Sequence, residues 1–258
     1  FQKDFEAIKE FTTQVIGYNK ATLDTRPAFF GSSPFVDYIH QIQLAVTGAD
    51  ISFAAPLSFD AAIPIGPIRM ADLFNLYKYE NQLLVLSLTG LEIKHYLEES
   101  YGIWTNQMHN SSDHFLLFRP DLEKALEPWQ RLRFSSYNFD SAAGINYTVD
   151  VRKPKGEKVS ILSMADGTPF DLTKKYRVAV NSYRANGGGG LLTKGAGIPL
   201  DKLRTRVLWT SDREMREYLR RDISRQSEIN PQSLNNWRFI PTDWVKQAEI
   251  RDAEILFK

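Results

Sequence analysis

The chain of 258 residues carries 32 Lys and Arg against 31 Asp and Glu, so its formal net charge is only +1. Hydrophobic residues make up 43% and charged residues 24%, which is an ordinary globular composition. A balance this even excludes a global field that would attract a nucleic acid polymer. No window approaches the ~18 apolar residues of a membrane span, so no span is predicted.

Cysteine is absent, which excludes disulfides, thiol catalysis and cysteine metal sites. The chain starts at Phe1 instead of a methionine. A removed signal peptide fits that start, and so does an engineered boundary. With a signal peptide removed, we expect a periplasmic or otherwise exported protein.

The first elements in chain order are two helices. The segment from Phe1 to about Tyr18 is predicted to be helical because apolar residues recur along one face. These residues are Phe5, Ile8, Phe11 and Val15. Ser33-Pro34 combines an N-cap with a proline at the first helical position, which predicts a second helix ending at Gly48. Its buried stripe is Phe35, Ile39, Ile42 and Val46.

Strands and a third helix follow. Residues 49–55 and 81–88 are predicted strands, and Thr89-Gly-Leu-Glu92 then forms a capping box that opens a helix. The helix carries Leu91, Ile93, Tyr96, Leu97 and Tyr101. Residues 101–128 are polar and irregular. The sequence thus alternates between strand and helix signals over its first half.

A hairpin is predicted next, from strands at 145–151 and 158–163 joined by the turn Lys153-Pro-Lys-Gly156. Asp166-Gly167 makes a second turn before a strand at 176–180. Strands and helices intermingle without a regular βαβ rhythm, which predicts an α+β fold.

The C-terminal part is predicted to pack on the body. Ser211-Asp-Arg-Glu214 is a second capping box, and its helix is expected to reach about Gln226. The tail, residues 230–258, holds Trp237 and Trp244. No linker forces a split, so we expect one domain over residues 1–258. It comprises a helix and lead-in (1–30), a body, and a helix with a C-terminal extension (210–258).

The segment Asn181-Ser-Tyr-Arg-Ala-Asn-Gly-Gly-Gly-Gly190 is the most informative part of the chain. A predicted strand ends there in an aromatic residue and then in four glycines. Four glycines cost backbone entropy, but they let a ligand approach the main chain or let a hinge move. An aromatic beside such a loop can stack on a nucleobase. The alternative is a flexible surface loop with Tyr183 buried in the core.

A second aromatic stands at a similar junction. Phe139 lies in Tyr137-Asn-Phe-Asp140, just before the Ser141-Ala-Ala-Gly144 turn and the strand from Ile145. Two aromatics at such junctions can face each other across a slot, where stacking contributes roughly 1–3 kcal/mol per base. From these residues alone, core packing is the better interpretation of Phe139.

Signals for catalysis are absent from the sequence. The Asp-x-His and Asn-His-Glu clusters of dimetal phosphoesterases do not occur, nor does a Gly-x-Ser-x-Gly elbow or a Walker motif. His109, Asp113 and His114 share a loop and either bind one ion weakly or are solvated. His40 and His95 are expected on a helix surface or satisfied in the core. No catalytic residue and no metal ligand is predicted in this chain.

Several segments together resemble the C-terminal domain of the 5′-nucleotidase / UDP-sugar hydrolase / 2′,3′-cyclic phosphodiesterase family. They are residues 48–54, 63–68, 86–98, 143–145 and 176–189. The resemblance covers roughly 30–192, and the part from Thr210 is similar to an extension in one bacterial branch, of the Bacteroidetes type. It implies layered sheets with flanking helices. It also implies an N-terminal metallophosphatase domain that holds two metals, while the C-terminal domain binds the nucleoside and swings it to them.

The resemblance also implies the binding residues. Phe139 and Tyr183 match the two aromatics that sandwich the base, with Gly187-Gly188 as the glycine pair. The predicted substrate-binding set is Phe139, Tyr183, Asn181, Arg184, Gly187, Gly188, Gly189 and Asp60.

The chain departs from the family at the groups that hold sugar and phosphate. Gly189 stands where the family has a ribose-binding Asp, and Asp60 where it has a phosphate-binding Arg. A carboxylate there repels phosphate, and Arg184 or Lys78 are candidates to replace the charge. The Pro-Phe-Gly-Asn stretch of the family has become Tyr77-Lys-Tyr-Glu-Asn81.

The leading hypothesis is a nucleotide- or nucleoside-binding C-terminal domain of a 5′-nucleotidase-type hydrolase in nucleotide catabolism. It needs a separate metallophosphatase domain or subunit, where the divalent metals are expected; this chain is expected to need no cofactor and to be inactive alone. One alternative is a non-catalytic binding or interaction module that has lost the nucleotide pocket. Another is an independent hydrolase with a site at His109, Asp113 and His114.

Overall fold

The computed structural model describes residues 2–258, and the side chains of residue 6 and of residues 9–258. The α-helices are α1 (Gln2–Thr13), α2 (Pro34–Thr47), α3 (Asp72–Leu76), α4 (Gly90–Trp104), α5 (Ser182–Ala185), α6 (Met215–Gln226) and α7 (Thr242–Phe257). The early strands are β1 (Val15–Asn19), β2 (Leu23–Asp24), β3 (Ile51–Ala54), β4 (Ala62–Ile63), β5 (Gly66–Arg69), β6 (Gln82–Thr89) and β7 (Ser141–Ala143). The later strands are β8 (Ile145–Asp150), β9 (Val159–Met164), β10 (Lys175–Asn181), β11 (Val207–Glu214), β12 (Glu228–Ile229) and β13 (Trp237–Ile240).

The central sheet has five strands in the order β11-β6-β10-β3-β7. Only the β10–β3 pair in it is parallel, with Val178 opposite Ile51, while β6 and β10 pair antiparallel from Lys175 opposite Thr89 to Asn181 opposite Leu83. Smaller sheets have the orders β12-β1-β5, β13-β8-β9 and β2-β4. This mixture of small sheets and helices confirms the predicted α+β fold.

The central sheet separates two hydrophobic clusters. Val178 and Val180 of β10 belong to the cluster that contains α4, whereas Ala179 belongs to the cluster that contains α2 and α6. On β6, Leu84 and Leu86 likewise face the first cluster, and Leu83 faces the second. Because side chains alternate along a strand, the apolar runs of β6 and β10 bury both faces of the sheet.

Local capping signals were accurate for two helices. The Ser33 hydroxyl accepts a hydrogen bond from the Val36 amide and Gly48 ends α2 in the left-handed conformation. Thr89 and Glu92 form the predicted reciprocal capping box at the start of α4. The hairpin is also present, as β8 pairs antiparallel with β9.

The predicted bounds of the N-terminal helix were wrong. The N-terminal helix ends at Thr13 and not near Tyr18, and Val15 starts β1. Phe11 is 54% exposed and Val15 46% exposed, so neither joins a buried stripe. Phe1 and the side chains of Phe5 and Ile8 lie outside the described residues.

The second capping box was also wrong. Residues 211–214 belong to β11, and no side chain caps the start of α6. The Ser211 hydroxyl instead accepts a hydrogen bond from the Leu83 amide and donates one to the Arg213 carbonyl. Because the Ser211 hydroxyl bonds the backbone of β6 and of its own strand, it does not cap α6.

The C-terminal tail packs on the body as predicted. Trp237 is buried on β13, which pairs parallel with β8, and Trp244 on α7 packs against the first hydrophobic cluster. Within residues 2–258, no helix is long and apolar enough to cross a membrane.

Candidate functional site

Three tyrosines line a cavity of about 350 Å³ beside the C-terminal end of β10, here called the tyrosine cavity. The ring centroids of Tyr79 and Tyr137 are 6.1 Å apart and those of Tyr137 and Tyr183 are 6.2 Å apart. The Tyr137 ring is nearly perpendicular to both neighbours, at 75° and 80°. The other lining residues are Leu57, Glu80, Asn81 and Asn181. The volume and the aromatic walls suit a flat, drug-sized ligand.

Tyr183 reaches the cavity because the chain turns sharply at the end of β10. The Asn181 side-chain oxygen accepts a hydrogen bond from the Arg184 amide at 2.9 Å and caps α5. One side of the Tyr183 ring lies against the glycine loop, where a Cβ on Gly188 would come within 2.3 Å of the ring. Tyr183 stays 40% exposed. Asn181 and Tyr183 are thus the two predicted residues that line the cavity.

Arg184 lies beneath the cavity, with only 2% of its side chain exposed. Its guanidinium donates two hydrogen bonds to the Asp140 carboxylate, at 3.0 and 2.7 Å. Three more go to the Asn138 side-chain oxygen, the Gly188 carbonyl and the Tyr137 carbonyl, at 2.9, 3.0 and 2.7 Å. A guanidinium has five N–H donors, and all five are used.

These bonds correct the predicted role of Arg184. Burial disfavours its charged form, but the Asp140 carboxylate outweighs that effect and raises the pKa of Arg184 above its ordinary value. With every donor occupied inside the protein, the side chain has none left for a phosphate. It joins the segment that carries Tyr137 to the loop that supports Tyr183, and is called the Arg184 clamp below.

Phe139 does not face Tyr183 across a slot, which corrects the placement predicted from the sequence. Its side chain is fully buried and stacks on Trp104, with ring centroids 5.4 Å apart and ring planes at 6°. A 3₁₀ turn over Ser136–Asn138 precedes it. Tyr137, two residues earlier, lines the cavity instead. Of this pair, only Phe139 was predicted from the sequence as a binding residue, and the burial of Phe139 against Trp104 of α4 distinguishes the two.

Asp60 is also outside the cavity lining. Its two carboxylate oxygens accept hydrogen bonds from the Arg26 guanidinium at 2.8 and 3.0 Å, so its charge is locally matched. Lys78, the other candidate for the missing positive charge, is exposed, and its ammonium lies 6.0 Å from the Tyr79 ring centroid. Neither residue is among those that line the tyrosine cavity.

The glycines do not line the cavity. Gly188 packs against the Tyr183 ring, and Gly189 packs against the Arg184 guanidinium. Gly187 and Gly189 have φ of +89° and +73°, values that side chains rarely adopt. A Cβ on Gly189 would lie 2.3 Å from the Asn138 side-chain oxygen and 2.4 Å from the Arg184 guanidinium. The carboxylate that the family resemblance implies at this position therefore does not fit beside the Arg184 clamp.

The loop histidines do not assemble a metal site. The Asp113 carboxylate accepts hydrogen bonds from the His109 and Asn110 amides, which hold its pKa below the ordinary value. His114 points elsewhere, with Nδ1 2.6 Å from the Asp252 carboxylate. Among the residues with described side chains, no group of three or more His, Cys, Asp and Glu is placed to hold a metal ion.

The two helical histidines have different environments. His40 is fully buried, and its ring nitrogens lie 2.9 and 3.1 Å from the hydroxyls of Ser52 and Ser141. His95 is exposed on α4. His40 is therefore the hydrogen-bonded core residue and His95 the helix-surface residue, which are the two alternatives expected from the sequence.

A larger groove, of about 670 Å³, lies on the segment from Arg119 to Ser135. Trp129 is half exposed there, and Arg119 is paired with Asp121 at 2.8 Å. None of the predicted binding residues lines this groove, and its walls come from one irregular segment. The tyrosine cavity is the better candidate because separate elements converge on it.

Comparison with known proteins gives the family. The family described as "5'-nucleotidase, C-terminal domain" matches residues 11–194. The trifunctional nucleotide phosphoesterase protein YfkN of Bacillus subtilis is 31% identical over 69% of this chain, and the 2',3'-cyclic-nucleotide 2'-phosphodiesterase/3'-nucleotidase of Haemophilus influenzae is 25% identical over 95%. The matches cover only 12% and 40% of the lengths of these relatives.

A solved structure shares the fold. The 5'-nucleotidase precursor of Thermus thermophilus superposes with a TM-score of 0.68 over 93% of this chain and 42% of that one, at 20% identity. The arrangement of small sheets and helices is therefore one that a full-length nucleotidase uses for part of its chain. Since the family match covers most of the sequence, the resemblance is confirmed, and the chain belongs to the 5′-nucleotidase C-terminal domain family.

Proposed function

We propose that this chain is the substrate-recognition part of a 5′-nucleotidase-type phosphoesterase in nucleotide catabolism, and that it binds the nucleoside of its substrate in the tyrosine cavity. The single observation that carries the proposal is the convergence of Tyr79, Tyr137 and Tyr183 on one cavity of nucleoside size. Family membership supports the same assignment. A base stacked on such rings gains roughly 1–3 kcal/mol of binding free energy.

The phosphate of a bound nucleotide is proposed to project out of this chain. The described cavity lining contains no Lys, Arg or His, and it includes the Glu80 carboxylate. The Arg184 guanidinium is buried with all its donors used, and the Arg216 guanidinium is paired with the carboxylates of Glu80 and Glu214. A phosphate directed at this lining finds no cation among the lining residues, and it would compete with the Glu80 carboxylate for Arg216. Its binding groups are therefore assigned to a partner.

That partner is proposed to be a metallophosphatase domain or subunit that holds the divalent metals. The curated relatives are phosphoesterases by name, and this chain spans less than half of each. We propose that residues 1–258 act as one recognition domain for such a catalytic unit, and that the protein is exported to the periplasm. Cell fractionation with an antibody against this chain tests the location.

Calorimetric titration of the purified chain with adenosine, AMP and UDP-glucose tests the binding function, with and without excess EDTA. We expect chelator-insensitive binding that weakens about 5- to 150-fold in Tyr137→Ala and Tyr183→Ala, as expected for one stacking contact. Trp129→Ala is the matched control, since it removes a half-exposed aromatic from the larger groove.

A different result rejects the proposal. Absence of binding at millimolar ligand favours the alternative module that has lost the nucleotide pocket. If Trp129→Ala abolishes nucleoside binding and Tyr183→Ala leaves it intact, the binding site is the larger groove and not the tyrosine cavity.

A further inference from the structure

We infer that Glu80 is a specificity-determining residue and that it gives the tyrosine cavity a preference for guanine. The inference rests on the proposed function, because it assumes that a base occupies the cavity. It concerns the polar edge of that cavity, formed by Glu80 and Asn81 directly before β6. The tyrosine walls accept any base, whereas this edge offers a particular pattern of hydrogen bonds.

One oxygen of the Glu80 carboxylate is paired with Arg216, while the Glu80 side chain as a whole is 72% exposed. Arg216 lies 3.2 Å from Glu80 Oε1, and its guanidinium is held over the Phe74 ring at 4.3 Å and near the Lys78 carbonyl at 3.5 Å. The Arg216 side chain is 14% exposed, which leaves it little freedom. Within the described part of the chain, Glu80 Oε2 has no hydrogen-bond donor, so this oxygen is available to a ligand.

The neighbouring amides offer donors. The Asn81 side-chain oxygen accepts a hydrogen bond from the Ser182 hydroxyl at 3.1 Å, and the Asn181 side-chain oxygen accepts one from the Arg184 amide at 2.9 Å. With both oxygens occupied, each side chain presents its two N–H groups toward its remaining surroundings, which are the buried Tyr77 hydroxyl and the cavity. The cavity edge therefore places a carboxylate acceptor next to amide donors.

This pattern complements one base edge better than the others. Guanine presents two adjacent donors, N1–H and the N2 amino group, next to the O6 acceptor. The Glu80 carboxylate can accept both N–H groups, one at the free Oε2 and one at the second lone pair of Oε1, and such charge-assisted bonds are stronger than neutral ones. An amide N–H suits O6. Hypoxanthine lacks the N2 amino group, and adenine places its N1 lone pair where the carboxylate needs a donor. Sites built on hydrogen bonds reject analogues that lack the donor.

Calorimetric titrations with guanosine, inosine and adenosine test the inference. We expect the unmodified chain to bind guanosine about 10- to 100-fold more tightly than inosine, the range for a hydrogen bond to a charged group. Glu80→Gln is expected to reduce that ratio to about 3-fold or less. Glu214→Gln is the matched control, because Glu214 also pairs with Arg216, at 3.5 Å, but does not line the cavity; it should preserve the ratio.

Several outcomes overturn the inference. Equal binding of guanosine and inosine by the unmodified chain rejects it and leaves the proposed function standing. An equal loss for all three nucleosides in Glu80→Gln, or a changed guanosine to 2′-deoxyguanosine ratio alone, assigns Glu80 to general binding or to the sugar. Absence of binding by every nucleoside rejects both the inference and the proposed function.

Discussion

The Arg184 clamp makes a quantitative prediction for the variant Arg184→Met. Arg184 and Asp140 are each 2% exposed and form two hydrogen bonds to one another. Methionine fills much of the same volume but removes the charge. Among the described residues, the buried Asp140 carboxylate then keeps one hydrogen-bond donor, the Tyr96 hydroxyl. The Tyr137 and Gly188 carbonyls lose the bond from Arg184 as well, and the Asn138 side-chain oxygen keeps only the long bond from the Tyr183 hydroxyl, at 3.5 Å.

The expected cost follows from this burial. Removing one partner of a buried ion pair lowers the free energy of unfolding by about 3–5 kcal/mol, because the remaining charge is uncompensated. The free energy of unfolding of a whole domain is only about 5–15 kcal/mol. Arg184→Met should therefore remain folded in water but unfold at a much lower urea concentration. The double variant Asp140→Asn/Arg184→Met removes the stranded charge and should recover part of the loss.

Urea unfolding and nucleoside titration, measured on the same preparations, separate the two roles of the clamp. We expect Arg184→Lys, which keeps a charge but lacks the five-donor fork, to retain more stability than Arg184→Met yet bind nucleoside more weakly than the unmodified chain. A loss below about 1 kcal/mol in Arg184→Met, the value of an exposed pair, would show that the clamp contributes no more than a surface contact. A double variant no more stable than Arg184→Met would show that the stranded charge is not the cause.

Three further predictions concern the loop, the core and the C-terminal helix. Gly188→Ala places a Cβ 2.3 Å from the Tyr183 ring. Displacement of that ring should weaken nucleoside binding about tenfold. Gly31→Ala is the control, because its Cβ meets nothing within 4 Å, and it should leave nucleoside binding unchanged. Burial lowers the pKa of His40 to about 3 from 6.5, so its stabilising contribution is complete above pH 6.5 and is lost as the pH falls toward 3, by up to about 1.4 kcal/mol per pH unit. Urea midpoints across this range should show that slope in His95→Gln and less of it in His40→Gln; equal slopes would contradict the assignment. Asp252→Ala removes the acceptor of the buried Phe115 and Leu116 amides, which each donate to Asp252 at 2.8 Å. It should lower the free energy of unfolding, measured by heat or urea, by about 1–3 kcal/mol for each amide. Lys246→Ala, at an exposed position on the same helix, should cause no measurable loss.

Local chemistry explains which elements the sequence predicted well. Ser33, Thr89 and Gly48 act within one turn of their own helix, so neighbouring residues were sufficient to place α2 and α4. Ser211 belongs to the same class of signal but failed, because its hydroxyl bonds the Leu83 amide 128 residues away. Whether a serine caps a helix or joins a sheet depends on that distant strand, which no local pattern contains.

The site was predictable in part for the same reason. Tyr183 and Asn181 follow from the strand and the turn that they end, and both line the cavity. Tyr79 and Tyr137 were missed as wall residues because their position depends on how two loops fold against β10. Phe139 was favoured by its match to the family, yet Trp104 on α4 covers it. Residue spacing along one segment cannot distinguish the pocket face of a loop from its core face.

Two of the three departures from the family, Asp60 and Gly189, become understandable once their neighbours are known. Asp60, where the resemblance implies a phosphate-binding Arg, is neutralised by Arg26, so it neither attracts nor strongly repels a ligand. Gly189, where the resemblance implies a ribose-binding Asp, leaves room for the Arg184 and Asn138 contacts that hold the tyrosine walls. Both changes remove groups that hold sugar and phosphate and retain the aromatic surface. Recognition by this chain is therefore expected to concentrate on the base, and the free energy for holding phosphate is expected to come from the proposed metallophosphatase partner.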